Sequence, residues 1–179
     1  LGLQNAVGPL PVPGHVALDL NAGETAKLLA WIQLLLREQF DHVSPVINQR
    51  IDHELQNRIF QNYLNIDNWW LSFDGDHDAV NWNVWMNSNV LKAAMLTLKD
   101  ESQFEKILNR SLFSVDYFLD NYDDEGGCIE GPFYWRHASG RLIEYIESLE
   151  VIFGPEARKY FSQIDMIKQM GEYPVKMRI

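Results

Sequence analysis

The sequence predicts an all-α fold of antiparallel helical hairpins, on three observations. Apolar residues recur at steps of three and four in successive segments, no segment shows a strong alternation of period two, and proline or glycine punctuates the joins. The 179 residues are 46% hydrophobic and 12% aromatic, enough for a packed core of one domain or of a piece cut from a larger one. Seven prolines and 11 glycines are too few for disorder, collagen or low-complexity repeats.

Residues 1–20 open with Pro9, Pro11 and Pro13, whose fixed φ and missing N–H favour an extended arm. A first helix is expected from Asn21 or Gly23 to about Phe40. It would be largely buried, with Leu28, Leu29, Trp31, Ile32, Leu35 and Leu36 on its inner face. Ser44 before Pro45 reads as an N-cap with proline at the first helical position. The stripe Ile47, Ile51, Leu55, Ile59 and Leu64 then marks a second helix, antiparallel to the first. Asn65 to Ala79 is polar and aromatic-tipped and reads as a long loop, with Trp69, Trp70 and the run from Asp74 to Asp78.

Asn81 to Leu98 returns to helical spacing through Val84, Leu91, Ala94, Met95 and Leu98. Asp100 opens a fourth helix to about Tyr122, striped by Phe104, Ile107, Leu108, Leu112, Val115, Phe118 and Leu119. Gly126 and Gly127 end it, and Pro132 starts a fifth with Leu142, Ile143, Tyr145, Ile146 and Leu149 inward, broken at Gly154 and Pro155. A sixth is expected over about Gln163 to Met170.

Fifteen basic against 25 acidic residues give a net charge of −10, which repels phosphates and anionic lipid and excludes general nucleic-acid binding. No apolar run reaches the roughly 18 residues of a membrane span. The single Cys128 excludes an internal disulfide and a cysteine zinc cluster. A start at Leu1 and an end on Val175 to Ile179 suggest an excerpt from a longer polypeptide.

Three places carry more chemistry than folding requires. Asp74, Asp76 and Asp78 alternate as in half a calcium loop, but Ala79 stands where that loop needs glycine and Trp85 where it needs glutamate. Solvated carboxylates beside His77 are the better description, and no metal is expected. Asn81, Asn83, Asn87 and Asn89 are interleaved with Trp82 and Trp85. Asn83 and Asn87 share a helix face, and four amides exceed the need of a cap. Glu130, Tyr134, Trp135, Arg136 and His137 gather a carboxylate, a phenol, an indole, a guanidinium and an imidazole around Pro132. Both polar, aromatic loops precede helices, as expected if they line one cavity mouth.

The stretch DDEGGCIEGPFYW resembles the double-glycine, glutamate, glycine, proline and tyrosine-tryptophan signature of heparinase II/III-like polysaccharide lyases. NWNVWMNSNVLKAAM resembles the asparagine-bearing helix start that precedes it in that family, and ALDLNAGETAKLLAWIQLLLREQFDHVSP the helical hairpin before that. The resemblance implies that residues 1–179 are part of an (α/α) toroid whose polypeptide continues into a β-sandwich. It also implies a periplasmic or secreted bacterial location and β-elimination on an acidic polysaccharide or oligosaccharide. Transferred residue by residue, it makes Tyr134 the base or acid and Asn81 or Asn83 the amide that binds the uronate carboxylate. Trp82, Asn87, Glu130, Trp135, Arg136 and His137 are then substrate-binding candidates, with no cofactor within this segment. Trp82 departs from the pattern, because many relatives have histidine directly after the asparagine.

Two other functions fit the same residues. A toroid glycoside hydrolase would use Glu130 with Asp123, Asp124 or Glu125 as its acid and base. A glycan-binding segment without catalysis would stack sugars on Trp69, Trp70, Trp82 and Trp135.

Overall fold

The structure, a computed structural model, describes residues 18–73, 75 and 80–177. The extended arm expected over residues 1–20 lies almost wholly outside that range, as do residues 74 and 76–79 of the aspartate run. Among the described residues there is no strand, so the all-α expectation holds. The chain divides into two compact units, one of Leu1–Asn68 with Asn89–Ser111 and one of Trp69–Ser88 with Leu112–Ile179.

In the first unit, helix α1 (Leu20–Val43) starts where the Asp19 carboxylate accepts a 2.8 Å hydrogen bond from the Ala22 N–H, a side-chain N-cap. Helix α2 (Pro45–Glu54) begins behind Ser44, which occupies the cap position although its hydroxyl makes no cap bond. It continues through a π-helical turn, Leu55–Phe60, into α3 (Gln61–Asn65). The π turn buries Leu55, Ile59 and Phe60.

Helices α1 and α2 form the expected antiparallel hairpin, but a polar clasp holds it. Gln33 Nε2 donates to the Asp52 carboxylate at 2.7 Å. Asn48 Nδ2 donates to the Arg37 carbonyl and to Asp41 Oδ1, each at 2.9 Å. The buried face of α1 is Ala22, Gly23, Ala26, Ala30 and Gln33, while Leu28, Trp31, Leu34, Leu35 and Leu36 are exposed. This corrects the expected inward leucine face. Small residues one helical turn apart let the backbones approach closely, and the clasp then fixes which side turns inward. Asn48 is buried, so Asn48→Ala, which leaves the Asp41 and Arg37 acceptors without it, should cost about 1–3 kcal/mol in a urea melt.

Helix α4 (Asn81–Thr97) contributes to both units and is buried on nearly every side, with Val84, Met86, Val90, Leu91, Ala93 and Ala94 at or near zero exposure. Helix α5 (Glu101–Asn121) also belongs to both. Asp100 caps it by accepting from the Gln103 N–H at 3.1 Å. The Asn65 to Ala79 segment is not wholly loop, because Trp69–Leu71 form a 3-10 turn that buries Trp70 and Leu71.

In the second unit, α6 (Pro132–Phe153) buries Leu142, Tyr145, Ile146 and Leu149 as expected but leaves Ile143 exposed. Gly154, at φ 83°, ends it, and Pro155 opens a helix beyond the six expected from the sequence, α7 (Pro155–Phe161). Proline breaks a helix in its interior, but at the first position its missing N–H costs nothing. The last helix, α8 (Asp165–Lys176), is longer than expected and runs through Pro174.

Candidate functional site

The site is built within the second unit from the start of α4, the loop 122–131 and the first turns of α6. Gly126, at φ 76°, closes the loop against α8 so tightly that a Cβ there would stand 2.2 Å from the Met170 backbone nitrogen. Its neighbour Gly127 lies against the Tyr173 ring. The loop ends at Gly131, φ 87°, which hands the chain to Pro132 at the first turn of α6.

The two polar loops singled out in the sequence do meet. Asn81 Nδ2 donates a hydrogen bond to the Glu130 carboxylate, tying the first residue of α4 to the loop before α6. Asn81 itself is buried, and its Oδ1 has no partner among the described residues.

Beyond this tie, Tyr134 and Arg136 are exposed and His137 is half-buried on the first turns of α6. The His137 ring stacks on Trp85 of α4 with centroids 4.1 Å apart and planes within 3°. Arg141, paired with Glu144, approaches the same indole at 5.2 Å. Arg136 Nε donates to His137 Nε2 at 3.3 Å, and its guanidinium lies 4.2 Å from the Phe133 ring. The Tyr134 and His137 rings are 6.0 Å apart. The first turns of α6 thus carry a phenol and a guanidinium, each beside the imidazole of His137, which is itself held flat against a tryptophan.

Asn83 and Asn87 lie elsewhere. Both are fully buried and turned toward α5. Asn83 Nδ2 donates to the Ser114 carbonyl (3.0 Å) and Oγ (3.1 Å), Asn87 Nδ2 donates to Ser114 Oγ (2.9 Å), and that hydroxyl donates to the Leu71 carbonyl (3.0 Å). Asn83 and Asn87 are therefore paired inside the unit, where each satisfies groups that water cannot reach, whereas the buried Asn89 has no side-chain partner among the described residues. Ser114 was missed in the sequence, although Ser111 and Ser114 interrupt the apolar stripe of α5 one turn apart and both are buried. Ser114→Ala should cost about 1–3 kcal/mol in chemical denaturation, because it removes an acceptor that two buried amides share.

Trp82 is half-buried against Trp69, with ring centroids 5.3 Å apart. Trp70 is 1% exposed, so it belongs to the core and cannot stack a sugar. Trp135 is half-buried, packs along Tyr173 at 6.2 Å and keeps its indole N–H buried without a partner among the described residues. Behind the loop, Tyr122 and Cys128 are buried together. Burial pushes both the phenol and the thiol up from their ordinary values, so both stay protonated at neutral pH.

No group of three or more histidine, cysteine or acidic side chains is placed to hold a metal ion among the described residues, and no helix there is long and apolar enough to cross a membrane. Compared with protein-family models the chain matches none, and no curated protein is significantly similar to it.

Proposed function

We propose that this chain is part of an (α/α) toroid polysaccharide lyase of the heparinase II/III-like type, which cleaves a uronate-containing glycan by β-elimination. The observation that carries the reading is the Asn81–Glu130 hydrogen bond, which fastens together the two motifs on which the resemblance rests, beside an exposed Tyr134. The exposed ridge Leu28, Trp31, Leu34 and Leu35 on α1 supports the toroid, since a neighbouring helical hairpin would cover such a face.

Elimination must loosen the proton on the carbon beside the sugar carboxylate, stabilise the enolate-like charge that follows, and protonate the departing oxygen as the carbon–oxygen bond breaks. Tyr134 serves as the base or acid, because it is an exposed phenol next to an imidazole. Arg136 supplies the positive charge that the carboxylate needs, which the net charge of −10 does not supply globally, with His137 held beside it as its hydrogen-bond acceptor. Asn81 and Glu130 act by holding the loop in place. Asn83 and Asn87 belong to the scaffold beneath, and Trp82 and Trp135 flank the surface available to sugar rings.

The β-sandwich that such enzymes carry would complete the cleft, with secretion or the periplasm as the expected location. The full-length polypeptide, incubated with a panel of uronate polysaccharides, should yield products with the ultraviolet absorbance of a conjugated unsaturated uronate. Binding without turnover across the panel would instead select a glycan-binding role.

A further inference from the structure

On the second unit, α5, α6 and α7 line a half-open cavity of about 370 Å³, within the size range of small-molecule sites. Four of its lining residues are aromatic. Tyr145 and Phe161 are buried and form its floor, while Phe113 and Tyr160 stand exposed at its rim. The remaining polar side chain is Asp116, on the exposed side of α5 one turn from Phe113, and no lysine, arginine or histidine lines the cavity. Asp116 makes no ion pair among the described residues.

These features share one chemical meaning. Aromatic faces carry the negative end of the ring quadrupole and attract a cation that has shed water, and a carboxylate at the rim adds a full negative charge. The two rim aromatics expose 67% and 64% of their surface, apolar area that a ligand would cover. An anion would meet repulsion from Asp116 and from a chain of net charge −10, and a neutral apolar ligand would gain nothing from the carboxylate.

We propose that the Phe113, Asp116, Tyr145, Tyr160 and Phe161 cavity binds a small organic cation of the alkylated ammonium class. The methyl groups pack against the rings, and the delocalised positive charge faces Asp116. The site is independent of the elimination chemistry proposed for α6.

The test is calorimetric or NMR titration of the intact chain with choline and tetramethylammonium, alongside 3,3-dimethylbutanol, the uncharged carbon isostere of choline. Both cations should bind and the alcohol should bind at least about tenfold more weakly, as expected for a desolvated cation–π site. Tyr160→Ala and Asp116→Asn, both at exposed positions, should each weaken choline about three- to tenfold while leaving the circular dichroism spectrum unchanged. Equal binding of choline and the alcohol would overturn the proposal, as would no binding of either cation. Cation binding that both variants leave intact would place the ligand elsewhere and overturn it equally.

Discussion

Tyr134→Phe in the full-length polypeptide should lower the rate of glycan cleavage by a factor of about 10² to 10⁴, the usual contribution of a positioned general acid or base. The substitution deletes one hydroxyl from a side chain that is 42% exposed, so it leaves the packing of α6 untouched. The ring contacts with Phe133 and His137 survive in phenylalanine. A loss of turnover with unchanged melting temperature would therefore report chemistry and not folding. Tyr122→Phe is the natural control. That phenol is buried and held protonated by desolvation, so its removal should leave the rate of cleavage nearly unchanged.

The largest expected effect on stability comes from Gly126→Ala. The added Cβ would lie 2.2 Å from the Met170 nitrogen and 2.3 Å from the Gln169 carbonyl carbon, both backbone atoms that cannot rotate aside. The residue also sits at φ 76°, where an L side chain is strained. Overpacking and strain together should cost about 3 kcal/mol, which for a chain of this length lowers the melting temperature by roughly 6–12 °C. Gly131→Ala, at φ 87° but with open space around its Cβ, should cost only the backbone part, about 1–2 kcal/mol. Comparing the two by thermal denaturation separates the clash from the strain. Gly126→Ala should also slow cleavage, since the loop that carries Glu130 is seated on α8 through this glycine.

Helix positions were the most legible feature of the sequence, because a period of 3.6 with proline and glycine at the ends reflects local physics. The α5 and α6 boundaries follow from Asp100, Gly126 and Pro132 almost residue by residue. The inner face of α1 was not legible in that way. Its leucines promise more burial than its alanines, but the partner helix offers Asn48 and Asp52, and Gln33 reaches both the Asn48 carbonyl and the Asp52 carboxylate. Which face turns inward thus depends on a residue fifteen or more positions away. The helix α7 was hidden for a different reason, since proline after glycine signals an end and a beginning equally well.

The meeting of the two polar loops could be expected from their shared composition, and the Asn81–Glu130 bond bears that out. The division of labour among the asparagines could not. Asn83 and Asn87 look like surface amides until Ser114, some thirty residues on, supplies the partner that accounts for their burial. Likewise nothing in the chain order announces that His137 lies flat on Trp85, because that contact exists only once the start of α4 meets the first turns of α6.

Digestion of a uronate polysaccharide by the full-length polypeptide in oxygen-18 water tests the reaction class most directly. Elimination divides the glycan without adding water, so the new ends should carry an unsaturated sugar and no label. Saturated products in which each bond cleaved brings in one oxygen-18 atom, at the new reducing end, with cleavage abolished by Glu130→Gln and retained in Tyr134→Phe, would show hydrolysis and contradict a catalytic role for Tyr134.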